Sequence, residues 1–282
     1  MKLLVVGDFH GTFPSKFNDI IRKEKIDLVV SNGDYFPFHY RKLWFKHCYG
    51  TSVELWEVVG KRKYKELVLK DLRDGERALK KLDALPVPVI TVVGNIDRTG
   101  IIDFMDVQTD KKAKRWKWDE QDFFSKIIKR YKNIHRFDYS FYRFEDFIFV
   151  GAYGGMIPGN PRSKSFQKYK KKLENLFKKF RKENKEGKVI FVSHNVPYNT
   201  KLDKIGMKAH KAVRGKHYGS RMVRQIIDKY HPILHVGGHI HEGMGVQKLG
   251  KSLLLNPGSA HENKGAVVII EKKETIKVRF IS

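Results

Sequence analysis

Five short apolar runs, each closed by a polar loop, constrain the fold of this chain more than any other feature. The runs occupy residues 2–7, 26–33, 86–94, 188–194 and 233–239. Each is shorter than a typical helix and rich in valine, isoleucine and leucine, which is typical of strands buried on both faces. Amphipathic segments such as 163–187 lie between some of them and predict helices. This alternation predicts an α/β fold with parallel strands.

Two polar segments interrupt the alternation and predict helical inserts within a single domain of residues 1–282. The inserts cover residues 38–83 and 101–135, and they contain all four tryptophans, Trp44, Trp56, Trp116 and Trp118. We expect these rings to pack the inserts onto the core, and base stacking is the alternative. An alternating aromatic segment at 138–155 predicts a hairpin with Glu145 and Asp146 at its tip.

Composition narrows the class of protein. The 282 residues are 41% hydrophobic, which is enough for a substantial core, and the only cysteine, Cys48, excludes an intramolecular disulfide. The chain has no apolar run of about 18 residues, and its first residues lack the pattern of a secretory signal. We therefore expect a cytoplasmic protein without a membrane partner. The oligomeric state stays open, a homo-oligomer included.

The net charge of +26 is unusual, because 57 lysines and arginines face 31 acidic residues. Such a field attracts polyanions, so phosphorylated ligands and nucleic acid are candidate partners. The alternative is a solvated, lysine-rich surface that serves solubility.

The loops after the five apolar runs carry aspartate, asparagine or histidine. They read GDFHG at 7–11, NGD at 32–34, GNID at 94–97, SHN at 193–195 and GGHIH at 237–241. Ligands of α/β sheets bind beyond the carboxyl ends of the strands, so these loops are expected to form one site. Carboxylate, amide and imidazole groups suit Mn²⁺, Fe²⁺, Zn²⁺, Ni²⁺ or Co²⁺. The candidates exceed the needs of one ion and suit two divalent ions that share a carboxylate.

The ordered motifs D-x-H, GD, GN-x-D, H and GH-x-H resemble those of the calcineurin-like metallophosphoesterase superfamily. The resemblance implies a four-layer α/β/β/α sandwich with two mixed β-sheets and a binuclear metal centre, with manganese the first candidate. It implies that one ion is bound by Asp8, His10 and His241, the other by Asn95, His194 and His239, and that Asp34 bridges them. Asn95 and His194 would also act in catalysis. Hydrolysis would proceed by in-line attack of a metal-bridging hydroxide.

The chain departs from the superfamily at Ile96, where many members place a histidine that protonates the leaving oxygen. Without this partner, Asp97 is expected to cap its loop. The departure favours phosphodiesters and activated esters. A segment at 201–229 carries nine basic and two acidic residues and connects two metal motifs. Within it, His217 is a candidate substitute acid or phosphate contact, with His210 second and a surface role as the alternative.

These observations favour a metal-dependent phosphodiesterase that acts on a nucleotide-like or nucleic-acid substrate. Two alternatives remain at this stage. One is a phosphomonoesterase or pyrophosphatase, and the other is a non-catalytic scaffold of the same fold.

Overall fold

A computed structural model describes residues 1–100, 116–155, 158–183, 188–207, 209, 213–271 and 275–282. Its strands form two six-stranded mixed sheets. The strands of the first sheet are β1 (Lys2–Val6), β2 (Leu28–Ser31), β3 (Val89–Thr91), β4 (Ile134–Arg136), β11 (Gly265–Ile270) and β12 (Ile276–Ile281). Those of the second are β5 (Phe141–Phe144), β6 (Phe147–Ala152), β7 (Val189–Asn195), β8 (Leu234–Gly238), β9 (Gly245–Leu249) and β10 (Ser252–Asn256).

The seven α-helices of the described residues cover the outer faces of the sheets. They are α1 (Lys16–Glu24), α2 (Arg41–His47), α3 (Leu55–Val59), α4 (Lys61–Asp83), α5 (Phe123–Ile128), α6 (Lys164–Lys182) and α7 (Arg221–Tyr230). No helix among the described residues is long and apolar enough to cross a membrane.

Each sheet has a parallel centre. The first sheet has the order β12-β11-β1-β2-β3-β4, in which β1 to β4 run parallel and β11 pairs antiparallel with both β1 and β12. The second has the order β5-β6-β7-β8-β10-β9, in which the four inner strands run parallel. The loops that follow the parallel strands therefore gather at one edge of each sheet.

The strands are apolar throughout because both of their faces are covered. On β1, Leu3 and Val5 pack in the core between the two sheets, whereas Leu4 and Val6 pack against the helical layer on the other side. Successive side chains of a strand point to opposite faces, so one strand serves both cores. A third core joins α6 and α7 to the second sheet. The predicted four-layer sandwich is thus confirmed.

The hairpin and tryptophan predictions are also confirmed. Phe144 pairs with Phe147, which leaves Glu145 and Asp146 at the tip, and Glu145 has a φ of 49°. All four tryptophans are partly buried and pack against the helical side of the first sheet. Trp116 lies between Trp56 and Trp118, with ring centroids 6.0 and 4.9 Å away. These rings join the two insert segments to each other and to the core.

The boundaries of the predicted helical segments need correction. Helices α2, α3 and α4 lie within 38–83, but 101–135 contains α5 and ends in β4, which pairs with β3. Residues 101–115 lie outside the described residues. The helix predicted at 163–187 ends at Lys182, and residues 184–187 lie outside the described residues.

Candidate metal centre

The loops after the parallel strands bring the predicted ligands into two groups. Asp8 and His10 follow β1, Asp34 follows β2, and Asn95 comes from the loop that follows β3. His194 lies near the end of β7, and the loop after β8 carries His239 and His241. The potential ligand atoms of Asp8, His10 and His241 lie within 4.8 Å of one another, as do those of Asp34, His194 and His239. Each group combines residues of both sheets.

The first group contains atoms that a cation would satisfy. The Nε2 atoms of His10 and His241 face each other at 3.4 Å, and His241 Nε2 lies 3.3 Å from Asp8 Oδ1. Asp8 Oδ1 is buried and has no hydrogen-bond partner among the described residues. A buried carboxylate oxygen without a hydrogen bond is costly unless a positive charge lies beside it. The group therefore fits a divalent ion.

The second group is organised around His194. Its Nδ1 donates to the backbone oxygen of Asn32 at 2.9 Å, which leaves the lone pair on Nε2. Nε2 faces Asn95 Oδ1 at 2.9 Å, His239 Nδ1 at 3.2 Å and Asp34 Oδ2 at 3.4 Å. One proton cannot satisfy this set of acceptor atoms, whereas a metal ion accepts electron pairs from all of them.

The backbone of four of these residues adopts the left-handed region. The φ angles are 52° at Asp8, 44° at His10, 58° at Asp34 and 71° at His239. Such angles cost residues with a Cβ about 1 to 2 kcal/mol each. Strained residues of this kind concentrate at functional sites, because the surrounding structure holds them in place.

Close approach of the backbone also explains two glycines in the loops. A Cβ at Gly238 would lie 2.6 Å from Asp8 Oδ2, and one at Gly94 would lie 1.9 Å from Asp34 Oδ1. Neither position has room for a side chain. The Gly residues of the GN-x-D and GGHIH loops thus let the carboxylates reach the site.

Burial sets the protonation states at the site. It lowers the pKa of His10 to about 4 and that of His239 to about 3, so both rings are neutral near pH 7 and have a lone pair for a metal. Burial and the negative charge of Asp8 raise the pKa of Asp34 well above its usual value. Two buried carboxylates in mutual repulsion make a site that attracts cations.

Asp97 has the loop-capping role that the sequence predicts. It accepts hydrogen bonds from the backbone N–H groups of Asp34 (2.8 Å), Tyr35 (2.7 Å) and Gly94 (2.7 Å). Both carboxylate oxygens are therefore occupied by the backbone. The backbone N–H of Ile96 donates to Asp34 Oδ1 at 3.1 Å, so the GNID loop also positions the carboxylate of Asp34.

His217 forms a pair with a carboxylate that the sequence analysis did not identify. Its Nδ1 lies 2.6 Å from Oδ1 of Asp203, which is fully buried, whereas about a third of the His217 side chain is exposed. The backbone N–H groups of Asn199, Thr200 and Gly219 donate to Asp203. The spacing of Thr200 and Asp203, which form a capping box, is the sequence signal that could have revealed it. His210 lies outside the described residues.

The pair lies between loops of both ligand groups. A Cβ at Gly219 would lie 2.6 Å from the backbone of Pro197, which follows His194 closely in the chain. A Cβ at Gly243, in the turn that begins at His241, would lie 2.0 Å from the backbone oxygen of Leu202. Asp203 and His217 thus belong to the surroundings of the centre.

Comparisons with known proteins agree with this architecture. An uncharacterized protein of Methanocaldococcus jannaschii is 22% identical over 280 residues, which cover 96% of each chain. One solved crystal structure matches with a TM-score of 0.69 and 18% identity, over 100% of this chain and 99% of that chain. The sulfate thiohydrolase SoxB of Thermus thermophilus matches with a TM-score of 0.51 and 13% identity, over 99% of this chain and 56% of that chain.

These structural likenesses show the fold, and a sequence comparison shows the family. The sequence profile of the calcineurin-like phosphoesterases matches residues 1–243, which include all seven predicted ligands. The motifs, the two mixed sheets and the two ligand groups lead to the same conclusion: the chain belongs to the calcineurin-like phosphoesterase family.

Proposed function

We propose that this chain is a binuclear metal-dependent phosphodiesterase, with a nucleotide-like or nucleic-acid diester as substrate. The observation that carries the proposal is the convergence of ligand atoms from five loops into two adjacent groups. Family membership supports hydrolysis of phosphoric esters. A scaffold protein has no need for buried carboxylates that repel each other in metal-free protein.

The residues would share the work as follows. Asp8, His10 and His241 would hold one ion, Asn95, His194 and His239 would hold the other, and Asp34 would be the shared carboxylate. Two divalent ions, with Mn²⁺ the first candidate, polarise the phosphoryl group and activate water when bound. Asn32 keeps His194 in the tautomer that binds metal, and the amide of Asn95 lies beside it. In this proposal Asn95 and His194 also orient the phosphoryl group.

The preference for diesters rests on position 96. Ile96 is half-buried and offers no proton to a leaving oxygen. Asp97 uses both oxygens on backbone N–H groups, which assigns its carboxylate to holding the loop. Aryl and other activated leaving groups depart without a proton, whereas an alkoxide needs one.

We propose that His217 partly replaces the missing donor and supplies the proton that the alkoxide of a nucleotide or nucleic-acid diester needs, whereas activated leaving groups need none. Asp203 accepts from Nδ1 and stabilises a positive charge on the ring, which leaves Nε2 to donate to the leaving oxygen. The negative charge of Asp203 is fully buried, and its three backbone donors hold it in place. This arrangement orients the imidazole as a carboxylate does in a catalytic triad.

The test is a panel of diesters, monoesters, cyclic nucleotides and single-stranded oligonucleotides with Mn²⁺, Ni²⁺ or Mg²⁺. We expect bis-aryl diesters to react faster than alkyl monoesters. Rapid turnover of alkyl monoesters or pyrophosphate would instead identify a monoesterase or pyrophosphatase. Metal binding without turnover of any ester would identify a scaffold.

His217→Ala tests the proton donor separately. A positioned general acid contributes about 10² to 10⁴-fold, so the variant should lose kcat in that range on alkyl leaving groups and keep most of its rate on p-nitrophenyl esters. Asp203→Asn should change the same substrates in the same direction. Metal content, measured by mass spectrometry, serves as the control and should stay unchanged. Equal rates on both leaving-group classes would remove His217 from the mechanism.

A further inference from the structure

α2 and the two residues that follow it carry a cation followed by two aromatic rings on one side. Arg41, Phe45 and Tyr49 are spaced four residues apart, so their side chains follow one another along the same side of the segment. The Arg41 guanidinium carbon lies 5.4 Å from the centre of the Phe45 ring. The Phe45 and Tyr49 rings stack at 5.1 Å with an interplanar angle of 26°. Arg41 is exposed and both rings are partly exposed.

The Arg41 end of this face lies beside the metal centre. The chain that enters α2 passes the loop of the first ligand group: His10 N donates to the Asp34 oxygen at 3.0 Å, and a Cβ at Gly11 would lie 3.6 Å from Pro37. Arg41 N donates to the Phe38 oxygen at 3.0 Å, which fixes the start of α2 beside this loop, and Arg41 is close enough for its positive charge to act on Asp34 and His239. Arg41 therefore adds positive charge next to the second ligand group.

The Tyr49 end lies beside the segment that carries His217. The side chain of Tyr49 forms a hydrogen bond with Tyr218, which directly follows His217 in the chain. α2 ends at His47 and Tyr49 follows two residues later, so a helical rise of about 1.5 Å per residue places Arg41 and Tyr49 on the order of 12 Å apart. The face thus runs along the site from the metal centre to the proposed proton donor.

Anchors at both ends hold the face in place. Tyr40, at the start of α2, is buried and accepts a hydrogen bond from Arg98 of the loop that also carries Asn95. Tyr49 is tied to Tyr218 at the other end. Rings held before the ligand arrives lose little conformational entropy on binding.

We propose that the Arg41–Phe45–Tyr49 face binds the nucleoside part of a nucleotidyl phosphodiester, with Arg41 on the phosphoryl group and the rings against the base. This inference rests on the proposed function and names the substrate class of the same site. Arginine pairs with phosphate oxygens through two parallel N–H groups. Bases of any sequence stack on aromatic side chains. An aliphatic diester has no group for the two rings to bind.

Two esters with the same leaving group test the proposal. One is the p-nitrophenyl ester of thymidine 5′-monophosphate, and the other is methyl p-nitrophenyl phosphate, which has no base. In Phe45→Ala we expect kcat/KM to fall about 5- to 150-fold on the nucleoside ester, mainly through KM, and to stay unchanged on the methyl ester. Arg41→Ala should lower kcat/KM on both, since both contain the phosphoryl group. Tyr142→Ala, on edge strand β5, is the matched aromatic control and should change neither.

Calorimetry supplies a readout that does not need turnover. The wild type should bind thymidine 5′-monophosphate more tightly than methyl phosphate, and Phe45→Ala should bind the two equally. Two results would overturn the inference: an equal fall on both esters, which would give Phe45 a purely structural role, or no change on either. If the wild type hydrolyses neither ester with any metal, the proposed function fails, and the binding comparison still decides the role of this face.

Discussion

Asp34 and Asp97 are neighbouring carboxylates with different roles. Asp34 belongs to the candidate metal centre, whereas Asp97 supports its loop. Asp34 Oδ2 faces His194 and belongs to the second ligand group. Asp97 does not belong to either ligand group, and its oxygens accept hydrogen bonds from three backbone N–H groups. Replacement of the aspartate therefore has different consequences at the two positions.

We expect Asp34→Asn to lose bound metal and activity, and Asp97→Asn to lose stability. An amide at position 97 turns a donor toward at least one of the backbone N–H groups, which costs about 1 to 3 kcal/mol of unfolding free energy. Metal content by mass spectrometry and unfolding in urea separate the two variants. Equal loss of metal in both would contradict the assignment of Asp34 as the shared ligand.

His235 gives the protein a defined sensitivity to acid. It is fully buried, and its Nε2 lies 2.8 Å from the hydroxyl of Ser193, which donates to the Asn195 oxygen. Burial lowers the pKa of His235 to about 3, so the folded protein keeps the ring neutral while the unfolded chain binds a proton below about pH 6.5. The contribution to stability is full above that pH and is lost as the pH falls from about 6.5 toward 3.

His235→Gln keeps a donor for Ser193 and does not titrate. Between about pH 7.5 and pH 5, the free energy of unfolding should therefore fall by about 2 kcal/mol less in the variant than in the wild type. Urea unfolding of the chelator-treated proteins at both pH values measures this, because the other buried histidines then contribute equally. An identical pH dependence would show that the ring is not buried in its neutral form.

At the scale of elements, Arg98 joins the inserts to the site. Its guanidinium donates to Asp119 and to the hydroxyls of Tyr40 and Tyr64, and Tyr64 donates to Asp119 at 3.0 Å. These residues belong to the start of α2, to α4 and to the segment before α5. Arg98 itself follows Asp97. The network thus fixes the position of α2 relative to the candidate metal centre.

Arg98→Met should lower the free energy of unfolding by about 3 kcal/mol, because Asp119 is left without its cation in a largely buried position. Replacing both residues, as in Arg98→Met with Asp119→Leu, should cost less than the two single changes together. Urea unfolding measures the coupling, and limited proteolysis within α2 to α4 shows whether the insert loosens. Strictly additive losses would rule out the network as a unit.

The sequence predicted the elements with a strong pattern and missed those set by tertiary contacts. β1, β2 and β7 were predictable because strands covered on both faces are continuously apolar. β4 has only three residues, of which Ile134 alone is buried, and it forms because it pairs with β3. The candidate ligands come from ordered motifs, and their order in the sequence predicted that they converge.

The supporting residues of the site carry no such motif. Arg98 is one basic residue among 57, and only the fold shows that it lies beside Tyr40 and Tyr64. Tyr49 and Tyr218 are far apart in the chain, and their hydrogen bond depends on the packing of the insert against the second half. Pairings of this kind are consequences of the fold and leave no local pattern.

For the whole molecule, the excess of positive charge and the two-sheet architecture act together. Each ligand group draws residues from both sheets, so the site lies where the two halves of the chain meet. Several exposed lysines lie on α6, which packs on the second sheet. A net charge of +26 attracts anions to the surface of the protein.

If nucleic acid is the physiological partner, binding of a single-stranded oligonucleotide should weaken steeply with salt. Each neutralised phosphate of a single strand contributes a slope of about −0.7 in log K against log salt. Fluorescence anisotropy across a KCl series measures the slope, with an uncharged methylphosphonate strand of the same sequence as control. A flat dependence for the charged strand would assign the positive charge to solubility.

The left-handed backbone at Asp8, His10, Asp34 and His239 predicts which substitutions a screened library of variants would retain. Glycine adopts these angles freely, so substitution by glycine relieves strain at the same moment as it deletes a ligand. In a library screened for abundance in the absence of added metal, glycine should be tolerated or enriched at these four positions. When the same library is screened for hydrolysis, glycine should be depleted at these positions. Selection for stability alone would thus favour variants that have lost residues of the candidate metal centre.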